Sequence, residues 1–264
     1  LGAAGFEFMP DGRFLVSSLE TNKGSLISLG ADGKEEKSLT SDENFNGHAV
    51  VSSDGKYIVF TVGKSNNFSI WRMNIDGQNP IQLTNPENAY DSRPQITSDS
   101  KTVIFERRLL DFTKSTLMKV PIDGGEATAF VNDDKPLQIF PRISDDGKLF
   151  VYSTMNFDKA NTRYDRSVRI LAMNGSEVTG VKKELNTGFG YSYRISPDGK
   201  NITYINQSGV PNIYNFPLDG SAPKQITNFN SGHILNFVWS KDGKKLYIVR
   251  AIINSELVLL KNTR

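Results

Sequence analysis

The 264-residue sequence predicts an all-β protein built from a repeated four-stranded sheet. A strand–turn–strand pattern recurs six times along the chain. Its turn aspartates are Asp11, Asp54, Asp99, Asp146, Asp198 and Asp242, spaced by 43, 45, 47, 52 and 44 residues. A second Asp-Gly or Asn-Gly turn follows in each of the first five repeats, and no segment shows sustained helical periodicity. Each repeat therefore has strands A to D, with these two turns joining A to B and C to D.

Four antiparallel strands in about 40–45 residues are typical of a propeller blade. A single sheet of this kind cannot bury both faces, so neighbouring sheets must stack. We therefore expect one domain over residues 1–264, a six-bladed β-propeller of four-stranded antiparallel blades. The expected blades span approximately 1–40, 41–84, 85–131, 132–186, 187–227 and 228–264. Because no D strand follows strand C in the last repeat, that blade is expected to lack its outer strand.

The repeated aspartates are predicted to form turns rather than to bind metal or to act in catalysis. In the fifth repeat, Pro197 sets the backbone for a turn, Asp198 tolerates the next position, and Gly199 adopts a left-handed conformation. Ser100 stands where the other repeats have glycine, so a non-glycine residue is expected in a left-handed conformation there.

The connections between strands B and C are predicted to carry the binding surface. From a C–D turn to the next A–B turn the spacing is 22–24 residues, whereas from an A–B turn to the next C–D turn it ranges from 21 to 28. We place the extra residues in B–C loops, mainly 154–166 and 107–114. These loops share one side of a propeller with the D–A connections, and variable loops often bind partners. The candidate residues on them are Arg107, Arg108, Arg163, Tyr164 and Arg166; the alternative is a solvated, mobile loop.

The D–A connections and the A strands bring further candidates toward the expected central channel. They carry aromatic residues and both histidines: Phe45, Tyr90, Phe140, Tyr191, Phe229, His48 and His233. The A strands also carry Arg93, Arg142 and Arg194. An arginine cluster at a channel mouth suits a carboxylate or a phosphate. The alternative is that these arginines pair with acids of adjacent blades, such as Asp91.

Other features of the sequence argue against enzymes, cofactors and nucleic acid. There is no Gly-x-Ser-x-Gly nucleophile motif, no phosphate-binding glycine loop and no cysteine, and two histidines cannot form a histidine-rich metal site. The net charge of +2 is too small to indicate nucleic-acid binding. No run of about 18 apolar residues is present, so no insertion into a membrane is expected. We expect a monomeric, non-enzymatic domain with no cofactor and no bound metal.

The repeats resemble a known family. The pattern ISDDGKLFVY, together with SIWRMNIDGQNPIQLT, resembles the WD-like repeat of TolB-type six-bladed propellers along the whole chain. The segment 212–262 is similar to the C-terminal propellers of bacterial membrane-anchored serine/threonine kinases and winged-helix regulators. This resemblance implies a periplasmic or extracellular sensing or docking domain of a larger bacterial protein. Its partner would be a protein or a small ligand, and its propeller would hold no catalytic residues.

Two other functions are compatible with the same residues. One is a stand-alone periplasmic TolB-like component that binds an envelope lipoprotein. The other is the gating propeller of a prolyl-oligopeptidase-type hydrolase. The domains that accompany the propeller in the full-length protein would separate all three hypotheses.

Overall fold

The computed structural model describes residues 2–20, 23–29, 36–40, 44–64, 67–131, 136–158, 163–175, 177–186, 192–240 and 243–251. Every helix or strand assigned within these residues is a β-strand, as the sequence predicts. The strands follow the six sequence repeats, and we call the strands of one repeat a unit.

Unit 1 contains β1 Gly2–Phe8, β2 Phe14–Glu20, β3 Lys23–Leu29 and β4 Lys37–Ser38. Unit 2 contains β5 Phe45–Val51, β6 Tyr57–Lys64, β7 Asn67–Asn74 and β8 Ile81–Gln82. Unit 3 contains β9 Ala89–Ile96, β10 Thr102–Leu109, β11 Ser115–Pro121 and β12 Thr128–Ala129. Unit 4 contains β13 Leu137–Ile143, β14 Leu149–Asp158, β15 Arg163–Asn174 and β16 Glu177–Asn186.

Unit 5 contains β17 Tyr193–Ile195, β18 Asn201–Asn206, β19 Asn212–Pro217 and β20 Lys224–Gln225. The described part of unit 6 contains β21 His233–Trp239 and β22 Leu246–Ala251. The predicted third strand of this unit, and the predicted absence of a fourth, lie outside the described residues. Units 1 to 5 are antiparallel sheets in sequence order, as the repeat predicts. Single parallel residue pairs, Phe68 with Tyr90 and Ser115 with Leu137, link units 2 to 3 and 3 to 4.

The core lies between consecutive units, because the sheets of units 2 to 5 bury both of their faces. In β6, Ile58 and Phe60 pack toward unit 1 with Leu15 and Leu26. The intervening Val59 packs on the other side, toward unit 3. Successive strand residues alternate between the two faces of a sheet, so a strand buried on both sides is apolar at successive positions. The face-to-face stacking predicted from the sequence is confirmed.

The first unit also contacts the last one. The ring of Tyr247 in β22 lies 5.0 Å from the ring of Phe8 and 5.8 Å from that of Phe14, centroid to centroid. Phe8 and Phe14 are themselves 4.9 Å apart. These three rings join residues that are more than 230 positions apart in the chain. We call this cluster the aromatic seam.

The turns between the first and second strands have the predicted geometry. Asp54 Oδ1 accepts hydrogen bonds from Ser52 Oγ at 2.7 Å and from the Lys56 backbone N–H at 3.1 Å, so its carboxylate closes the turn. Ser100 is left-handed, with φ of 59°. Its Oγ also accepts a hydrogen bond from the Asp54 backbone N–H at 3.2 Å. The serine thus bonds to the neighbouring turn, which a glycine could not do.

The long insertion of unit 4 differs from the prediction. Residues 154–166 were expected to form an irregular loop, but β14 and β15 pair continuously as far as Asp158 opposite Arg163. The placement of all these extra residues in a B–C loop was therefore wrong. The hairpin simply extends both strands. Residues 159–162 lie outside the described part of the chain.

Candidate functional site

The first strands of all six units line one internal cavity of about 200 Å³. A second cavity of about 200 Å³ lies nearer to the A–B turns, since turn residues such as Ser53, Ser98 and Pro197 line it. We call the first the mouth cavity and the second the turn cavity. The mouth cavity is on the side of the B–C loops, which we call the mouth face.

One residue from each unit stands between the two cavities. Each of these residues precedes the turn aspartate of its repeat by four positions. The set is Glu7, Val50, Gln95, Arg142, Arg194 and Val238. All six line the turn cavity, and all but Val238 also line the mouth cavity. We call this set the middle ring.

A second level of the mouth cavity is formed by residues in an unusual backbone conformation. His48, Arg93 and Phe140 each precede the turn aspartate by six positions. Their φ angles are 50°, 54° and 57°. The strand pairing shifts at each of these places, which marks a β-bulge. A non-glycine residue in this conformation costs about 1–2 kcal/mol, and such strain concentrates at functional sites.

The bulges correct two assumptions made from the sequence. Arg93 was grouped with Arg142 and Arg194, but it lies at the bulge, two positions farther from the turn. Phe140 was grouped with Phe45 and Tyr90, yet it occupies the same bulge position as Arg93. Spacing from the turn aspartate could have revealed both facts. The bulges themselves have no comparable sequence signal.

Glu106 holds the bulges of units 3 and 4 together. Its carboxylate is fully buried and accepts hydrogen bonds from Arg93 at 3.2 Å and from Arg108 at 2.6 Å. It also accepts one from the Phe140 backbone N–H at 3.3 Å. The Arg93 guanidinium lies 4.4 Å above the Phe140 ring. Sequence reasoning missed Glu106, because a single acid in strand B gives no motif.

Some of the arginines pair with acids, as the alternative prediction held, but the partners differ from those expected. Asp91 binds Arg107, whose Nε and Nη2 donate to its two carboxylate oxygens at 2.7 and 2.8 Å. Arg93 pairs instead with Glu106 of its own unit. These charge-assisted bonds occupy Arg107 and Arg108, which the sequence had placed on a free loop.

Arg142 and Arg194 of the middle ring are less well paired. Arg142 donates to the carbonyl oxygens of Pro141 at 3.0 Å and Tyr193 at 3.4 Å. Burial and the nearby Arg194 charge lower the pKa of Arg142 to about 9, which leaves it charged at pH 7. Arg194 Nη2 lies 3.8 Å from Glu7 Oε1, and burial raises the pKa of Glu7 in spite of both arginines.

His48 is uncharged at neutral pH. Its side chain is open to the mouth cavity but is surrounded by the cavity walls. Burial within these walls, followed by the charges of Arg93 and Arg142, lowers the pKa of His48 to about 3. The other titratable groups of the cavity are Glu7, Tyr193 and Arg194.

We expect His48 to lower the free energy of unfolding in acid. Between pH 6.5 and about 3 the unfolded chain binds a proton at this histidine and the folded protein does not, so stability falls as the pH falls. Water in the cavity screens the effect, so we expect about 1 kcal/mol at pH 5. Replacing His48 by Asn, which tolerates a left-handed backbone, should remove this loss. Urea unfolding at pH 7.5 and pH 5 measures it.

His233→Asn is the matched control, because His233 is exposed at the start of β21 and does not line the cavity. Glu7 contributes with the opposite sign, but it does so equally in wild type and variant. If His48→Asn and wild type lose the same stability between the two pH values, His48 is charged in the folded protein and this account is wrong.

A row of aromatic rings crosses the mouth face between units 2 and 3. Phe45 lies 5.7 Å from Phe68, Phe68 lies 5.2 Å from Tyr90, and Tyr90 lies 6.1 Å from Phe112, centroid to centroid. Phe112 is 58% exposed, and its neighbour Leu110 is 43% exposed. We call these four rings the aromatic row. Phe45 and Tyr90 were predicted from the connections, whereas Phe68 and Phe112 were not.

The remaining candidate residues from the sequence either lie away from the mouth cavity or are not described. Arg166 is half-buried in β15, and the side chains of Arg163 and Tyr164 lie outside the described residues, as does Tyr191. Phe229 lies beneath the guanidinium of Arg250 at 3.7 Å. The predicted common sector of Arg107, Arg108, Arg163, Tyr164 and Arg166 thus stays a prediction.

The described residues contain neither a candidate metal site nor a candidate membrane-spanning helix. No group of three or more His, Cys, Asp or Glu side chains among them could hold a metal ion. No helix in the described part of the chain is long and apolar enough to cross a membrane.

The chain is similar in structure to several solved proteins. TolB from Acinetobacter baumannii matches with a TM-score of 0.66 at 18% identity, over 84% of this chain and 53% of that one. A puromycin-hydrolyzing peptidase from Mycobacterium tuberculosis matches with a TM-score of 0.63 at 15% identity, over 93% of this chain and 43% of that one. An oligogalacturonate lyase in complex with manganese matches with a TM-score of 0.58 at 16% identity, over 89% of this chain and 67% of that one.

These likenesses support a TolB-like propeller fold. At such low identity they show the fold alone, and the chain spans about half the length of the TolB protein. No protein-family model matches the sequence, and no curated protein matches it. The resemblance to kinase and winged-helix propellers therefore stays a prediction.

Proposed function

We propose that the chain is a six-bladed propeller that serves as a non-enzymatic binding or sensing module of a larger bacterial protein. Six sequence repeats, face-to-face packing of consecutive units and the aromatic seam support this architecture. The proposed location is periplasmic or extracellular, by analogy with the TolB-type family. That part of the proposal rests on fold analogy rather than on a site.

The observation that carries the binding role is the mouth face itself. Three strained bulges surround the mouth cavity, and the aromatic row lies on the same side. Phe112 and Leu110 are exposed, and the Arg108 guanidinium lies 5.8 Å from the Phe112 ring. Aromatic and arginine side chains are enriched in protein interfaces. The proposed partner is a protein that docks on this face.

We expect the double variant Leu110→Ser, Phe112→Ser to weaken partner binding at least tenfold, since buried aromatic anchors contribute most of the energy of an interface. The partner would be captured from envelope proteins of the source bacterium, and its affinity would then be measured by surface plasmon resonance. Both residues lie in or beside an exposed turn, so the fold should be unaffected.

The matched control is Ile226→Ser. Ile226 is 38% exposed but borders a different pocket, together with the turn residues Gly199 and Asp219. It should leave the affinity unchanged. A captured partner that binds the double variant as tightly as wild type would place the interface elsewhere.

The peptidase likeness favours one second candidate, the gating propeller of a hydrolase. The chain covers 43% of the Mycobacterium tuberculosis peptidase, which leaves room in that protein for a further domain. An α/β-hydrolase domain in the full-length sequence would support this function. A kinase or winged-helix domain would support the sensing module, and a small α/β domain after a signal peptide would support a stand-alone TolB-like component.

A further inference from the structure

We propose that the mouth cavity binds a small dianion, such as phosphate or a short dicarboxylate, between Arg142 and Arg194. The inference rests on the proposed binding role, because it places a ligand within the same face. It adds the chemistry of that ligand, which the exposed aromatic row does not specify.

No carboxylate in the described part of the chain binds the Arg142 guanidinium directly, although the charge of Glu7 acts on it from farther away. The guanidinium donates to two backbone carbonyl oxygens, and no carboxylate among the described residues lies within 4.0 Å of it. Neutral carbonyls satisfy hydrogen bonds but do not neutralise a cation. A partly buried charge with no carboxylate bound to it is costly, so the protein keeps one here at the expense of stability.

Arg194 occupies the equivalent position on the next inner strand. Its Nε is buried and has no hydrogen-bond partner. Its Nη2 makes only long contacts, 3.8 Å to Glu7 and 3.5 Å to Asn236 Oδ1. Arg194 thus has donor capacity left, and it stands beside the unpaired Arg142 at the same level of the cavity.

The charges around the cavity favour a dianion. Arg93 and Arg108 share the single carboxylate of Glu106, which leaves one positive charge in excess. Arg194 is matched by Glu7, and Arg142 adds a second unmatched charge. Among these groups of the mouth cavity and its supporting shell, positive charges exceed negative charges by two; Asp145, which lines the turn cavity, lies outside this count.

The size of the cavity limits the ligand. At about 200 Å³ it is smaller than the roughly 300–1,000 Å³ typical of sites for drug-sized molecules. Two guanidinium groups match the paired oxygens of a carboxylate or a phosphate. A phosphate ion or a four-carbon dicarboxylate satisfies both the size and the charge.

Calorimetric titration of the wild-type chain with sodium phosphate and with sodium succinate, at constant ionic strength, tests the proposal directly. Thermal unfolding supplies a second readout. We expect a dissociation constant of about 1 mM or lower for at least one of the two, and a rise in melting temperature of about 3 °C at tenfold excess over that constant. Sodium chloride at equal ionic strength should give no such rise. A response to phosphate alone or to succinate alone identifies the source of the dianion.

The variant Arg142→Gln provides a more specific test. Removal of the unpaired cation should raise the melting temperature of the ligand-free protein and abolish the response to either dianion. Arg72→Gln is the matched control, since Arg72 pairs with Asp123 outside both cavities and its loss changes the net charge equally.

No binding heat with either anion would overturn the inference, and so would an undiminished response in Arg142→Gln. Neither result would affect the proposed docking role, which is measured through Leu110 and Phe112. Loss of partner binding with an intact anion response, or the reverse, therefore separates the two proposals.

Discussion

Replacing Glu106 by glutamine is expected to lower the free energy of unfolding by about 3 kcal/mol. The carboxylate is fully buried and is the acid that pairs with both Arg93 and Arg108. Glutamine keeps the shape but leaves two cations without a counter-charge, next to a cavity that already has excess positive charge. The expected loss is at the lower end of the range for buried pairs, because the two arginine side chains are 25% and 24% exposed. Urea denaturation at pH 7.5 measures it.

Glu126→Gln is the control for a loss of one negative charge, since Glu126 is exposed and lies outside the strands. It should change stability by less than about 0.5 kcal/mol. If Glu106→Gln were equally mild, water in the mouth cavity would be solvating the two arginines, and Glu106 would not organise the bulges. The same result would weaken the charge argument for a bound dianion.

The repeated turns made the overall fold predictable, because each one is a local hydrogen-bonding pattern. Ser52, Asp54 and Lys56 close a turn through contacts that span only a few residues. Stacking of the units then follows from the apolar faces of strands such as β6. A left-handed Ser100 could be predicted for the same reason, since its repeat position specifies its backbone.

The candidate site was less predictable, because it depends on departures from the repeat. The bulges at His48, Arg93 and Phe140 shift the strand pairing and so change which way the side chains face. An argument from spacing that treats the strands as regular cannot detect them. Pairing of Arg107 with Asp91 joins two strands across the sheet, and nothing in the local sequence specifies it. The length of the β14–β15 hairpin was misread for a related reason, since sequence spacing does not distinguish a longer ladder from a longer loop.

The last prediction concerns the aromatic seam, where unit 6 packs against unit 1. Replacing Tyr247 by alanine removes two ring contacts, with Phe8 at 5.0 Å and with Phe14 at 5.8 Å. We expect a loss of about 2 kcal/mol, less than for a fully buried aromatic residue because the three rings are only partly buried. If the proposed ring closes here, amide hydrogen exchange should accelerate in both β1–β3 and β21–β22.

Tyr214→Ala is the matched control for the seam, because Tyr214 contacts Tyr204 inside unit 5 at 5.8 Å. Its effect on exchange should be confined to unit 5 and its neighbours. Units that stack in a closed ring share stability across the closing interface, whereas an open stack leaves its two end units independent. Acceleration in β21–β22 alone after Tyr247→Ala would therefore mean that the first and last units touch without stabilising each other. The proposal of a closed six-bladed ring would then have to be abandoned, even though the fold of each unit would stand.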